Sequence, residues 1–346
     1  MKYTFMLNRS WIIALLAIST NAFSQTIPAI GTIPPGDSII VVYDVTISTG
    51  VSSISNQGSI AGSNFTTFST NDPKTVAPGD ATVTAVGAAM YYPKITATDL
   101  SLPASWTSDI SGGAGLTPSN FSTALQLFTI NNNIAAPEAS STWSISAGTN
   151  VTLTNTNGLT LNPAARLTIG TGSNVNLNGN KLLLKSGAAG SASIGAVTGT
   201  LTNATNITVE RYIPSRRAWR LITAPLSNAN TIRQAWQNNG VYTAGIGTFI
   251  TGPTGTGLDN SNAYSLKTYN VGSQQLVDVS NTTQSLSSAT GSADNKGYFL
   301  FVRGDRNPTN LTPPNTNVTT LSSVGTLQTG TQTFSAAATA NNFTLI

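Results

Sequence analysis

The chain of 346 residues contains no cysteine and no histidine. Without cysteine there are no disulfides, thiol nucleophiles or thiolate metal ligands, and without histidine there is no imidazole base. Ser-His-Asp and Cys-His centres and Cys/His zinc sites are therefore excluded. Charge is scarce too: 8% of residues are charged, and Glu occurs only as Glu138 and Glu210. A glycosidase-type carboxylate pair would have to be drawn from 12 acids, and several of these (Asp37, Asp72, Asp80, Asp259) stand in turn-like contexts where Asp serves the local backbone. There is no Gly-x-x-x-x-Gly-Lys-Ser/Thr phosphate loop. The net charge of +4 rests on few residues, two of them Lys2 and Arg9, so it does not make the dense basic face that nucleic acid requires. The composition reads as a protein that is not an enzyme, with no cofactor, no metal and no nucleic-acid partner.

What is present is Thr, Ser, Asn and Gly, with 39% hydrophobic residues. That is enough apolar material for packed cores, and the length suits two or three domains. At the amino terminus, Lys2 and Arg9 precede the apolar run Trp11-Ile12-Ile13-Ala14-Leu15-Leu16-Ala17-Ile18, and Ala22-Phe23-Ser24 offers a small-x-small cleavage site. Residues 1–24 thus read as a signal peptide. The run is well short of the ~20 residues that span a bilayer, so no transmembrane segment is expected after cleavage. The expected location is secreted or on the outer cell surface.

Between Val151 and Leu184 an apolar triplet recurs five times: Val151-Thr152-Leu153, Leu159-Thr160-Leu161, Leu167-Thr168-Ile169, Val175-Asn176-Leu177 and Leu182-Leu183-Leu184. Turn-formers such as Asn157-Gly158, Asn162-Pro163 and Asn178-Gly179 fill the gaps. In a strand alternate side chains share a face, so each triplet sends two aliphatic side chains inward and one side chain outward. Repeats at fixed spacing read as stacked units with a shared core. Two triplets and two turns give an expected repeat of about 16 residues, a short right-angled β-coil acting as a spacer.

The whole is expected to be all-β: an Ig-like β-sandwich over 25–98, a linker or cap over 99–140, a short β-solenoid over 141–205 and a second, jelly-roll-like sandwich over 206–346. Strands are expected at residues 38–47, 53–55, 59–61, 64–69 and 81–86, with turns at Asn71-Asp72-Pro73 and Pro78-Gly79-Asp80. In the cap, Phe121, Leu125 and Phe128 have the spacing of a helix over 119–128. Later strands are expected at 207–213, 218–226, 265–270, 275–279 and 296–302. Asn342-Phe343-Thr344-Leu345-Ile346 also reads as a strand, so the parent protein is expected to run on beyond Ile346.

Two stretches resemble known families. Pro35-Gly36-Asp37-Ser38-Ile39, Ile54-Ser55-Asn56-Gln57-Gly58, Gly62-Ser63-Asn64-Phe65 and Thr70-Asn71-Asp72-Pro73 resemble the Ig-like repeat domain carried in tandem on bacterial surface proteins. Ile207-Thr208-Val209-Glu210-Arg211-Tyr212-Ile213-Pro214, Arg217-Ala218-Trp219-Arg220-Leu221, Ala235-Trp236-Gln237 and Gly297-Tyr298-Phe299-Leu300-Phe301-Val302-Arg303-Gly304-Asp305 resemble a β-rich region of large secreted Bacteroidetes proteins. Those proteins usually end in a type IX sorting domain, so the resemblance implies the type IX secretion machinery as a partner of the parent protein.

The densest chemical cluster is Arg211, Tyr212, Arg217, Trp219 and Arg220, with Trp236 further along. Arginines beside aromatics can clamp an anionic sugar and stack on a glycan face. The bland alternative is solvated arginines at a hairpin turn, with stems covering apolar surface. Tyr264 is a further stacking candidate. Asp259-Asn260-Ser261-Asn262 is either an oxygen-rich calcium loop or an ordinary Asn/Asp turn. Arg303-Gly304-Asp305 spells an integrin-read tripeptide, but its place after an apolar run makes it a turn first. Asp37-Ser38-Ile39 resembles a short O-glycosylation acceptor of exported Bacteroidetes proteins. The leading expectation is a non-catalytic scaffold or adhesin whose partners are extracellular glycans or other surface proteins. The alternatives are a carbohydrate-binding module and the accessory region of a secreted hydrolase.

Overall fold

A computed structural model describes residues 53–72, 75–85, 87–287 and 297–329, with a few single positions outside these runs. The signal-like segment 1–24, the acceptor-like Asp37-Ser38-Ile39, most of the strand expected at 38–47 and the run 342–346 lie outside them. The chain is nearly all β and divides into two units, residues 1–89 and 90–346.

In the first unit Ser53–Asn56 pairs antiparallel with Thr82–Ala85, and Ser59–Gly62 with Phe65–Ser69. The two turns predicted here clasp each other: Gly79 N donates to Asn71 Oδ1 at 2.7 Å, and Asp72 N to Asp80 Oδ1 at 3.1 Å. Thr75 Oγ1 donates to the other Asp80 oxygen, and this bond holds the Asp80 carboxyl below its usual range.

The second unit is built on the triplets. Each alternating run buries its outer pair and leaves the central residue half-exposed, as in Val151–Leu153, Leu159–Leu161 and Leu167–Ile169. The expected two-sided coil of about 16 residues is corrected. Val151 lies beside Val175 and Leu159 beside Leu182, while Leu167 lies between Trp143 and Ile194. Successive triplets thus occupy three different sheets, and partners along a sheet are typically 24 residues apart. In a three-sided coil the six inward side chains of three triplets share one core. Corners are turned at positions such as Gly158 (φ +76°) and Gly179 (φ +74°).

Outward polar residues stack along the parallel sheets. Thr168 Oγ1 donates to Ser144 Oγ at 3.1 Å, Asn174 N to Asn150 Oδ1 at 3.0 Å, and Asn203 Nδ2 to Asn176 Oδ1 at 2.8 Å. Both glutamates are used in this stack. Glu138 accepts from Asn162 Nδ2 at 2.8 Å and pairs with Lys185, and Glu210 accepts from Ser186 N at 3.1 Å.

The solenoid begins earlier than residue 141. Gln126–Ile130 lies parallel to Asn150–Leu153, so the segment expected to be helical is instead a bend followed by the strand of the first coil. Leu125 adopts φ +61°, which ends any helix, and alternation through Gln126, Phe128 and Ile130 buries one side. Residues 90–125 cover this end. Trp106 packs against Phe128 (4.9 Å), Trp143 (5.9 Å) and Phe121 (6.3 Å), and its indole N–H donates to Leu100 O at 2.9 Å. Asp99 ties the cover to the first coil, accepting from Ser101 N, Ser140 N and Ser141 Oγ.

The boundary expected at 206 is no break in structure. Ile207–Ile213 pairs parallel with Leu182–Leu184 on one side and antiparallel with Thr319–Leu327 on the other. A second, four-stranded antiparallel sheet runs in the order Ala218–Ile222, Tyr298–Val302, Leu266–Asn270, Gln275–Asp278. Its inner residues Leu266, Tyr298, Leu300 and Val302 are buried, as are Ile232 and Trp236 of the helix Ile232–Trp236. A capping box opens that helix: Gln234 N donates to Thr231 Oγ1, and Thr231 N to Gln234 Oε1.

Candidate recognition face

The alternation of Tyr298-Phe299-Leu300-Phe301-Val302 decides the site. Its buried residues are Tyr298, Leu300 and Val302, which leaves Phe299 and Phe301 on the opposite face of the sheet. The neighbouring strand is set antiparallel with Trp219 across from Phe301 and Leu221 across from Phe299. These four residues form an apolar ledge. Trp219 lies 4.8 Å from Phe299 with the rings 9° from parallel, and 5.4 Å from Phe301. The ledge is not covered: Trp219 is 39% and Leu221 67% exposed. Lys267, across from Phe299, extends the face and is neutralised by Asp278.

Two arginines bound one end. The same alternation brings Arg217 and Arg303 onto this face, with guanidinium carbons 5.9 and 4.9 Å from the centre of the Phe301 ring. Arg217 Nη1 donates to Asn310 O (2.5 Å) and Asn315 O (2.9 Å). Arg303 Nη2 donates to Thr251 Oγ1 at 3.3 Å, and Nη1 is buried without a partner. Burial, and after it the like charge of Arg217, pull the Arg303 pKa below its usual value. Among the described residues neither arginine has a carboxylate in ion-pairing reach.

Of the six residues singled out in the sequence, the structure brings Arg217 and Trp219 together. Arg211 and Tyr212 belong to the other sheet, on Ile207–Ile213. Arg220 lies across from buried Leu300, on the opposite side of its strand from Trp219, and its Nε is buried without a partner. Trp236 is corrected as a stacking candidate: it is 2% exposed and meets Tyr298 edge-on at 5.3 Å. Burial raises the Tyr298 hydroxyl to about 12, and that hydroxyl donates to Leu286 O. Tyr264 is half-buried, with its hydroxyl donating to Thr254 O at 2.8 Å. Phe299, Phe301 and Arg303 were missed as site residues. The run is apolar throughout, so neither the side of the sheet they take nor the register that sets them beside Trp219 was legible in the sequence.

The remaining motifs are absorbed by structure. Both Asp259 oxygens are held by Arg306, at 2.7 and 2.9 Å, and one also accepts from Gln237 Nε2 and Ile250 N. A guanidinium thus occupies the carboxylate that a calcium loop would need. In Arg303-Gly304-Asp305 the aspartate is buried and accepts from Gly245 N, Asn307 N and Asn310 Nδ2. Among the described residues no three acids gather as a metal site would require. A concavity of about 500 Å³ lies elsewhere, lined by Leu184, Ile194, Val197, Val209 and Leu327. Ser193, Gln328 and Thr329 supply its polar lining.

Compared with models of protein families, with curated proteins and with solved structures, the chain finds no match in any of the three. The structure is that of an all-β chain in which a three-sided solenoid-like region of about three turns continues into a two-sheet unit with an open aromatic face. No helix among the described residues is long and apolar enough to cross a membrane.

Proposed function

We propose that this chain is a non-catalytic scaffold of the secreted or cell-surface kind, adhesin-like in action, and that the outer face of the four-stranded sheet is its recognition surface. The observation that carries this reading is the uncovered ledge of Trp219 and Leu221, bounded by two arginines that have no carboxylate partner among the described residues. Large aromatics and arginines concentrate binding energy when a partner covers them. The parallel stack supplies a spacer to which this sheet unit is joined by a shared strand. Export follows from the amino-terminal reading of residues 1–24, and the type IX route belongs to the parent protein by resemblance alone.

The exposed indole also favours the carbohydrate-binding alternative, because the C–H face of a sugar ring packs on an aromatic side chain. Both readings meet one test: an array of glycans and extracellular proteins probed with the full chain and with Trp219→Ala. Binding lost in a variant that retains its β circular dichroism supports the face as the recognition surface. Binding untouched by the substitution, or release of reducing sugar from a bound polymer, overturns it. Amino-terminal sequencing of the exported protein tests cleavage before Gln25.

A further inference from the structure

Among the described residues the charge of Arg217 and Arg303 has no carboxylate counterpart. Every described acid from residue 206 onward is engaged elsewhere: Glu210 with Ser186 N, Asp259 with Arg306, Asp278 with Lys267, and Asp305 with backbone N–H groups and Asn310. Arg217 and Arg303 meanwhile flank one phenyl ring from adjacent strands. Like charges set across a strand pair are unfavourable unless a counter-charge joins them. Next to this cationic end, Trp219 and Leu221 supply exposed apolar surface with no charge of their own.

We propose that the Arg217–Arg303 end binds the carboxylates of a uronic-acid polysaccharide whose sugar rings lie along Trp219. This rests on the reading of the face as a recognition surface and adds the class of ligand. A guanidinium pairs favourably with a carboxylate, and such a partner supplies the absent charge. A polymer fits better than a small acid, because the ledge is open and an extended chain gains by covering successive parts of it. A polysaccharide fits better than a peptide, whose usual modes need a groove or a sheet edge rather than an exposed sheet face.

The test uses the full chain with four immobilised polymers: polygalacturonate, its fully methyl-esterified form, a neutral galactan and polyglutamate. Polygalacturonate should bind, and binding should weaken by about ten-fold or more on esterification, in Arg303→Gln and on raising salt. Esterification removes the carboxylate charge without touching the protein, so the result stands even if Arg303→Gln folds poorly. Equal binding of the esterified polymer or the galactan overturns the role of charge. Equal binding of polyglutamate overturns the role of the sugar. If polygalacturonate is not bound while another glycan or protein binds through Trp219, the ligand class is wrong and the recognition face stands. If nothing binds at all, both fall.

Discussion

Arg306 closes on Asp259 in a two-pronged ion pair, with side chains only 6% and 3% exposed. The same guanidinium lies 4.9 Å from the centre of the Phe249 ring and donates to Gly240 O. Removing Arg306 takes two short bonds from buried Asp259 and leaves it the more distant Arg233, with Nη1 3.7 Å from Oδ1. Arg306→Met should therefore destabilise by about 3–5 kcal/mol. The exposed pair Lys267–Asp278 should yield no more than about 1 kcal/mol on Lys267→Ala. Urea denaturation of both variants checks the contrast, and comparable losses would refute the assignment.

The inward and outward sides of a coil can be separated by neighbouring substitutions. Leu167 is fully buried, whereas Thr168 is half-exposed and bonds only to Ser144 in its side chain. Leu167→Ala should cost about 2–5 kcal/mol, and Thr168→Ala about 1 kcal/mol or less. A denaturant series that ranks them the other way would mean the coil has been threaded inside out.

Two corner glycines make a matched pair. A Cβ on Gly158 would fall 2.1 Å from Lys181 O, whereas one on Gly179 would meet nothing within 4 Å. Both have positive φ, so each Ala variant incurs about 1–2 kcal/mol of backbone strain. Gly158→Ala should incur roughly 1–3 kcal/mol more through the clash with the next coil. Thermal melts of the two variants measure the difference, and identical melts would rule out close stacking at this corner.

Asp99 predicts an acid limb. Burial alone would raise its carboxyl, but bonds from the Ser101 hydroxyl, Ser140 N, Ser101 N and the Ser141 hydroxyl more than offset that and hold the pKa below 3.8. A carboxylate depressed in the folded state contributes stability that is complete above its unfolded pKa, near 4. The contribution is lost as pH falls through the folded value. Asp99→Asn should therefore be less stable than the parent at pH 7, with the gap narrowing towards pH 3. Melts across that range decide it, and a gap of constant size would exclude ionisation as its source.

Much of the architecture was legible because alternation was strong and turn residues were plentiful. Leu159-Thr160-Leu161 could be assigned inward and outward sides from sequence alone, whereas Tyr298-Phe299-Leu300-Phe301-Val302 is apolar throughout and takes its sides from packing. What could not be read was which strand lies beside which. Eight-residue spacing fits a two-sided or a three-sided coil, and only the pairing of Val151 with Val175 decides between them. Phe121, Leu125 and Phe128 matched a helical period, yet Gln126, Phe128 and Ile130 also matched a strand, and packing against Asn150–Leu153 won. The face proposed for recognition depended on pairings across some 80 residues of chain, such as Trp219 with Phe301, which carry no local signal. The error over Trp236 was of the same kind, since an aromatic residue in a short helix reads alike whether it faces solvent or core.

The strand Ile207–Ile213 has one more consequence. A parallel stack that simply stopped would present a row of unpaired N–H and C=O groups, a template on which a second copy could continue the sheet. Here Thr319–Leu327 runs antiparallel along that row, from Ile213 across from Thr319 to Ile207 across from Gly325. It reverses the direction of pairing, and Leu226–Ser227 then covers only its far end. On this sheet the polymer-forming tendency of a repetitive fold is stopped within the chain itself, so growth of the stack ends where the unit that carries the exposed face begins.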